Sequence, residues 1–278
     1  MNNILLVYFS PTGTTKKILK AIVEGYNVKA SATVEEIDIT VKKFGQTAET
    51  ITRTVNEAIS RADIVFFGAP VHEDKLPPLY CEMAEGFISE TVKPCVNVAV
   101  YGNVSTGIVQ THMKEMFKGR GFIPVASGSF IGEHSFTHEG LELAAGRPDE
   151  EDLAMAREFG GKIYDAVSSG IREVSLPKET LPLMSRVLPE GSAARFTKVP
   201  AVDKNLCTSC GMCVYKCPSG AIDRTTYEID EEKCIRCFAC VRVCAVKARK
   251  VSLKNAVLVK KVLETAGGKR KEPEWQII

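Results

Sequence analysis

The first 170 residues alternate short apolar runs with stretches of helical periodicity. Ile4-Leu5-Leu6-Val7-Tyr8-Phe9 is apolar throughout, the pattern of a strand buried on both faces. A helical stretch follows from Thr14 to Glu24, and Val34 to Ile39 alternates apolar with acidic residues, as an edge strand does. Further helices are predicted over Ala48 to Ser60, Leu79 to Ile88 and Gly107 to Lys118. Strands are predicted at Ile64 to Gly68, Cys95 to Tyr101 and Phe122 to Ser127. Pro148, followed by Asp149-Glu150-Glu151-Asp152, opens a last helix that ends near Val167. Strands alternating with helices in this way predict an α/β fold, a doubly wound five-stranded parallel sheet with right-handed crossovers.

From Gly170 to Pro200 the pattern fails: Pro177, Pro182, Pro189 and Pro200 break any long helix, and Gly191-Ser192 adds a turn. The organisation read from this is a domain over 1–170, a linker over 171–200 packed along it, a small α+β domain over 201–255 and a tail over 256–278. In the tail, Lys269-Arg270-Lys271 reads as solvated.

The small domain is set apart by its cysteines. Of 10 in the chain, Cys81 and Cys95 fall on a predicted helix and at a strand start and read as small buried hydrophobes. The other eight form two runs of one spacing, offset by 27 residues: Cys207, Cys210, Cys213, Cys217 and Cys234, Cys237, Cys240, Cys244. Three cysteines this close wrap three corners of an iron–sulfur cube, and the fourth of each run serves the other cube. Cys207, Cys210, Cys213 and Cys244 would then hold one 4Fe-4S cluster, and Cys234, Cys237, Cys240 and Cys217 the second. Zinc ribbons use paired C-x-x-C motifs and seldom add a third and fourth cysteine in register. Disulfides fit poorly with an N-terminus that has no basic segment before its apolar run and no small-residue cleavage site after it, so a cytoplasmic chain is expected.

Over about 50 residues, including Cys217-Pro218-Ser219-Gly220-Ala221-Ile222, this segment resembles bacterial two-cluster 4Fe-4S ferredoxins. It departs at Ala245, where that family commonly has a proline that stiffens the turn without donating a ligand. Residues 201–255 carry 10 Lys and Arg against 6 Asp and Glu. That excess offsets the roughly −2 charge of each oxidised tetrathiolate cluster and favours the reduced form, so potentials above those of a strongly acidic ferredoxin are expected.

At the other end of the chain, Ser10, Thr12, Thr14 and Thr15 surround Gly13 directly before a helix. Hydroxyls, inward amides and a helix N-terminus suit a phosphate monoester without an arginine, although ordinary turn and cap residues look the same. There is no dinucleotide G-x-G-x-x-G and no Walker lysine, which disfavours NAD and ATP. In a sheet ordered 2-1-3-4-5 the ligand crevice lies at the carboxyl ends of strands one and three, beside strand four. Those strands end in Gly68-Ala69-Pro70-Val71-His72 and Tyr101-Gly102-Asn103-Val104-Ser105.

Here the sequence resembles the flavodoxin family over roughly residues 1–170. Ser10-x-Thr12-Gly13-x-Thr15 matches its phosphate loop, and the two later turns match its ring loops. The resemblance implies non-covalent FMN, with phosphate on Ser10 to Thr15 and the ring between Ala69 to His72 and Tyr101 to Val104. Flavodoxins usually sandwich the ring with Trp or Tyr. Here the only Trp is Trp275, and Val104 stands where an aromatic is common, leaving His72, Tyr101, Phe130 and Phe136 as substitutes. His72 is also a candidate proton relay. The loop Gly132 to Glu139 is expected to close over the flavin or to meet the cysteine domain, its two histidines and two acids being a weaker candidate metal site. Arg147 is expected to pair with the acids that follow it.

Composition adds exclusions. The balance of 45% hydrophobic and 25% charged residues rules out a disordered or fibrous chain, and a net charge of +2 over 278 residues gives no global pull toward nucleic acid. No apolar run approaches the length of a spanning helix. The whole chain resembles ferredoxins fused to a flavodoxin-like N-terminal region. That implies an electron carrier exchanging with redox partner proteins, and a homodimer is admissible. An FMN-dependent reductase of a small acceptor such as a quinone, and a ferredoxin with an empty flavin site, are the alternatives.

Overall fold

In the computed structural model, residues 3–41, 46–181 and 191–278 are described. The chain runs through β1 (Asn3–Tyr8), α1 (Thr14–Ala30), β2 (Thr33–Asp38), α2 (Ala48–Arg61), β3 (Ile64–Pro70), α3 (Pro78–Ala84), β4 (Lys93–Tyr101), α4 (Val109–Phe117), β5 (Phe122–Ile131) and α5 (Glu150–Ser169). Then come the one-turn helices α6 (Ala193–Phe196), α7 (Met212–Tyr215) and α8 (Ala239–Arg242), followed by α9 (Ala256–Gly267) and β6 (Glu274–Ile277).

The sheet order is β2-β1-β3-β4-β5-β6. The first five strands are parallel in the expected order, and β6 pairs antiparallel with β5, Trp275 opposite Gly128. Successive residues of β1 serve opposite faces, which is why the run has no polar position. Leu5, Val7 and Phe9 enter a core with α2, α3 and α4, whereas Ile4, Leu6 and Tyr8 enter one with α1 and α5. Helices α1 and α5 touch through glycines: a Cβ on Gly25 would sit 1.9 Å from the Arg157 carbonyl, and one on Gly160 1.9 Å from that of Ile22.

Several boundaries differ from expectation. Helix α1 continues six residues past Glu24 because its second half packs on α5. Helix α3 stops at Ala84, short of Ile88. Pro148 lies outside α5: Asp149 is the cap, its carboxylate accepting the Asp152 amide at 3.1 Å while Asp152 returns the bond at 2.9 Å.

The larger correction concerns residues 256–278, which are not a free tail. They form α9, return to the first domain and add the sixth strand. Trp275 stacks on Phe130 at 6.2 Å and meets Phe159 at 5.4 Å. Arg147 makes the expected pair with Asp152, both buried, and its Nη1 also donates to the Lys271 carbonyl at 2.8 Å. Arg270 bridges Asp149 (2.7 Å) and Glu151 (2.9 Å), so the basic triplet is a clasp rather than a solvated run.

The linker packs along the first domain as expected over 171–181. Val174 is buried and donates to the Pro124 carbonyl at 2.7 Å, and Glu179 accepts the Thr111 amide at 2.7 Å. Pro182 and Pro189 lie outside the described residues. A third core joins the domains: Phe136, Leu141 and Leu143 from the loop after β5, with Ala193, Phe238 and Val251.

Replacing Trp275 with Ala is expected to lower unfolding stability by about 2–3 kcal/mol, since it removes the ring that β6 packs on Phe130 and Phe159. Urea titration followed by far-UV circular dichroism measures this. An unchanged midpoint would mean that β6 adds nothing to the sheet.

Candidate cofactor and metal centres

The loop from Ser10 to Thr15 joins β1 to α1 at the carboxyl edge of the sheet. Gly13 takes φ +88° at the α1 N-cap, a left-handed conformation that other residues resist, and no side chain caps the helix. The Ser10 amide donates to the Thr40 hydroxyl at 2.7 Å, and the Ser10 hydroxyl accepts the Lys16 amide at 3.1 Å. The Thr12 and Thr14 hydroxyls lie 3.4 Å apart. Thr15 is fully buried and its hydroxyl has no partner. A buried polar atom without a partner costs about 1–3 kcal/mol, a deficit that a ligand oxygen would remove. Lys16 and Lys20 stand nearby, both held on the Glu36 carboxylate at 2.7 and 3.0 Å. Burial opposes ionisation of Glu36, yet Lys16, the Tyr8 hydroxyl and Lys20 together hold its pKa at about 2. The cradle therefore offers hydroxyls and helix amides rather than free cations, and these residues fit a phosphate.

The two loops expected to bound a ring are differently placed. After β3, Ala69, Pro70 and Val71 lead to His72, whose amide bonds the Lys75 carbonyl in a tight turn. His72 Nε2 lies 2.9 Å from the Ile235 carbonyl, and a carbonyl can only accept, so Nε2 carries the proton. At the end of β4, Tyr101 is buried and leads to Gly102, where a Cβ would fall 2.4 Å from His134 Cδ2. Asn103 is buried with φ +64°. Its amide nitrogen donates to Gly267 (2.6 Å) and Lys269 (2.7 Å), and its oxygen accepts the Lys271 amide at 3.2 Å. The Val104 carbonyl accepts Lys271 Nζ at 2.6 Å. Asn103 and Val104 thus clasp the returning C-terminal segment, and at this loop only backbone is left for a ring. The aromatic substitutes are also engaged elsewhere. Phe130 lies in the core under β6, and Phe136 meets Phe238 edge-on at 5.4 Å. Tyr101 is buried at the end of β4, and His72 is bonded to the Ile235 carbonyl.

In the cysteine segment the sequence repeat is a structural repeat. The Cys207 and Cys234 amides donate to Asp203 and Asp230 carbonyls at 3.0 and 3.1 Å. Cys217 Sγ accepts the Ala221 amide at 3.3 Å, and Cys244 Sγ the Ala248 amide at 3.2 Å. Charge-assisted bonds of this kind stabilise thiolates. All the cysteines are free. Cys217, Cys234, Cys237 and Cys240, the expected second set, line one cavity together with Pro218, Ile222, Ile235 and Phe238. Burial pushes the Cys240 thiol up to about 12, and Cys237 above the usual range, and metal binding to such thiols releases their protons. These residues fit a cluster. Among the described residues, no three His, Cys, Asp or Glu side chains converge on a single ion, at the loop Gly132 to Glu139 or elsewhere.

That loop meets the cysteine segment. Arg242 Nη2 donates to the His134 and Thr137 carbonyls at 3.1 Å each, and its other nitrogen pairs with Glu133. Glu73, next to His72, accepts the Gly191 and Ala193 amides at 3.0 and 2.6 Å. Arg236, between two ligands, has a buried side chain that bonds Glu231 at 2.7 Å and the Cys234 carbonyl at 3.2 Å. Arg249, also buried, bonds the Pro200 carbonyl at 2.6 Å and that of Tyr227. Sequence reasoning missed Arg236, Arg242 and Arg249. The usable signal was the offset of 27, at which Ser209, Tyr215 and Ile222 are their counterparts.

Comparison with known proteins agrees on the cysteine segment. Residues 200–245 match the 4Fe-4S dicluster domain family. One component of an ion-translocating oxidoreductase complex from Methanosarcina acetivorans is 48% identical over 52 residues, 18% of this chain and 20% of that protein. Pyruvate synthase subunit PorD from Methanothermobacter marburgensis is 42% identical over 52 residues, 19% and 63% respectively. A ferredoxin from Pyrobaculum islandicum is 41% identical over 63 residues, 20% and 53%. The chain thus spans about a fifth of the first of these relatives and under two thirds of the others. The segment is a 4Fe-4S dicluster domain that carries two clusters. The N-terminal domain aligns with a flavodoxin from the domain Archaea (TM-score 0.41, 17% identity, 60% of this chain and 99% of that one). A longer stretch of the chain aligns with the apo form of an NADH:FMN oxidoreductase (0.46, 13%, 68% and 100%). The flavodoxin-like fold of the N-terminal domain is read from the strand order itself. No helix among the described residues is long and apolar enough to cross a membrane.

His134 supplies a test of the domain contact. Burial, aided by Arg242, lowers its pKa from 6.5 to about 4. The unfolded chain then binds a proton between pH 6.5 and 4 that the folded chain refuses, so this histidine makes stability fall as pH drops through that window. Substituting His134 with Gln is expected to flatten the acid limb of the stability–pH curve, with the native ring titrating near 4 by NMR. A ring titrating near 6.5 would mean that the contact is open.

Proposed function

We propose that the chain is an electron-transfer protein in which non-covalently bound FMN exchanges electrons with the two 4Fe-4S clusters, and through them with redox partner proteins of the cytoplasm. The observation that carries this reading is the bond between His72, on the expected ring loop, and the carbonyl of Ile235, inside the second ligating run. In this reading Ser10, Thr12, Thr14 and Thr15, with Gly13, hold the phosphate, and Ala69 to His72 with the backbone of Tyr101 and Gly102 bound the ring. Cys207, Cys210, Cys213 and Cys244 ligate one cluster; Cys234, Cys237, Cys240 and Cys217 ligate the other. FMN supplies a centre that takes two electrons and releases them singly, and each cluster carries one. The protein's part is to hold these groups on one frame at high effective concentration.

The second reading, a reductase of a small acceptor, needs a polar group poised over an open ring. The two histidines available are occupied: His72 Nε2 donates to Ile235, and His134 Nδ1 accepts the Phe136 amide at 3.0 Å. Those contacts favour the carrier.

Anaerobic purification followed by analysis of iron, sulfide and acid-released flavin is expected to give about eight irons and one FMN per chain. Zinc in place of iron, or no flavin, overturns the reading. Replacing Thr15 with Val, which removes the partnerless hydroxyl and keeps the shape, should weaken FMN binding about tenfold by fluorescence titration while leaving iron content unchanged. Equal affinity would remove Thr15 from the site.

A further inference from the structure

The dicluster segment contains its own control. Its halves share a backbone: Ser209 and Arg236 take φ +55° and +57°, Gly211 and Phe238 +72° and +57°, Gly220 and Lys247 +62° and +52°. Where the halves differ in side chain, the difference records surroundings rather than local conformation. In the second half, Ile235 packs on the core that also holds Val71. Phe238 and Arg236 are buried, and Arg242 grips the loop after β5. Their counterparts in the first half, Thr208, Ser209 and Tyr215, are exposed, and Gly211 has nothing within 4 Å of a Cβ. The ligands follow suit at two positions: Cys240 is buried where Cys213 is half-buried, and Cys237 is half-buried where Cys210 is exposed.

Around the first run the surface is apolar and basic. Leu206, Met212, Tyr215 and Val246 are 46%, 42%, 62% and 41% exposed. Lys216 lies over the Tyr215 ring at 5.6 Å, and Lys204 and Lys247 are exposed, each three residues from a ligand. Four of the segment's six carboxylates fall at 228–232, before the second run, and one of them, Glu228, reaches exposed Lys204 at 3.5 Å. The two in the first half serve the backbone, Asp203 accepting the Asn205 amide and Asp223 those of Thr225 and Thr226.

From this asymmetry, and resting on the electron-transfer reading above, we infer that the cluster of Cys234, Cys237, Cys240 and Cys217 is the internal station beside the flavin loops, and that the cluster of Cys207, Cys210, Cys213 and Cys244 is the port at which an acidic one-electron carrier protein docks. An apolar contact patch ringed by lysines fits a partner with a small apolar face rimmed by carboxylates. At each encounter one electron leaves the reduced first cluster and enters the oxidised carrier. The cluster is reoxidised, the carrier is reduced, and no bond or proton is involved.

Two measurements on the full chain test this. In dithionite-reduced protein at low temperature, a soluble dysprosium complex shortens the spin relaxation of whichever cluster lies nearer the surface. Arg236→Gln should shift the signal of the second cluster, and Ser209→Asp, at the exposed counterpart position, should shift the first; either assignment suffices if one variant fails to fold. Dysprosium is expected to act on the first signal, and a stronger effect on the second overturns the order. In stopped flow, reduced protein is mixed with oxidised rubredoxin as an acidic probe. Met212→Asp and Lys216→Glu should each slow the second-order reaction about tenfold at low salt, Val28→Asp on the far surface should not, and added salt should slow the unsubstituted chain. Rim variants at the unsubstituted rate, or an equal drop with Val28→Asp, overturn the docking surface. Neither measurement needs flavin. A chain without FMN that keeps this order refutes the flavin reading alone, and a flavin-loaded chain with the order reversed refutes this inference alone.

Discussion

Phe238 set edge-on against Phe136, with Arg242 gripping the loop behind it, ties the cysteine segment to the carboxyl edge of the sheet. That edge is where an open parallel sheet presents its loops, and in a doubly wound fold it is where a ligand sits. The remaining inter-domain bonds depend on this contact. His72 reaches Ile235 only if Phe238, three residues further along, is seated. Glu73 meets the Gly191 and Ala193 amides only if the chain re-enters the second domain at that corner. Small clusters of apolar residues are weak anchors by themselves. Here the arginine supplies direction, because its planar fork fixes where the His134 and Thr137 carbonyls and Glu133 meet it.

Much of the architecture was legible because the relevant signals are local. A strand buried on both faces must read as an unbroken apolar run, as β1 and β3 do, and eight cysteines at one repeated spacing suit little besides a pair of cubes. The loop proposed to hold a phosphate stood out for the same reason: hydroxyls, a glycine and a helix start lie within six residues. What stayed hidden depends on partners far away in sequence. Glu274-Trp275-Gln276-Ile277 does alternate, but four residues after a proline cannot announce a strand until β5 is there to pair with it. Asn103 reads as a turn residue near a ring. It is instead the anchor of a segment more than 160 positions on, which no spacing rule could reveal. Phe130 and Tyr101 were legible as aromatics near strand ends, but the alternation of β5 carries Phe130 into the core that Trp275 of β6 joins.

The returning C-terminus changes what the crevice can be. With Asn103 and Val104 clasped by residues 267–271, and Gly102 closed by His134, the loop after β4 offers a wall of backbone rather than an aromatic plate. A flavin held there would be fixed through its phosphate and its edge. On the side of the second cluster, buried Arg249 acts on Cys240, while Arg236 within the ligand loop and Arg242 at the domain contact are paired with Glu231 and Glu133. Positive charge near a cluster favours its reduced state.

The internal repeat explains how such an asymmetry arises without disturbing ligation. Both halves need the same backbone, including left-handed conformations at the residues between ligands, and neither ligand set can vary. Only side chains pointing away from the cubes are free to change. In one half they have become Ile235, Arg236 and Phe238, which favour burial; in the other they are Thr208, Ser209 and Gly211, which favour water. Docking one half on a flavodoxin-like sheet therefore leaves its twin facing outward by symmetry. A single fusion thus yields an inner and an outer cluster, whose separate surroundings follow from the residues that the repeat left unconstrained.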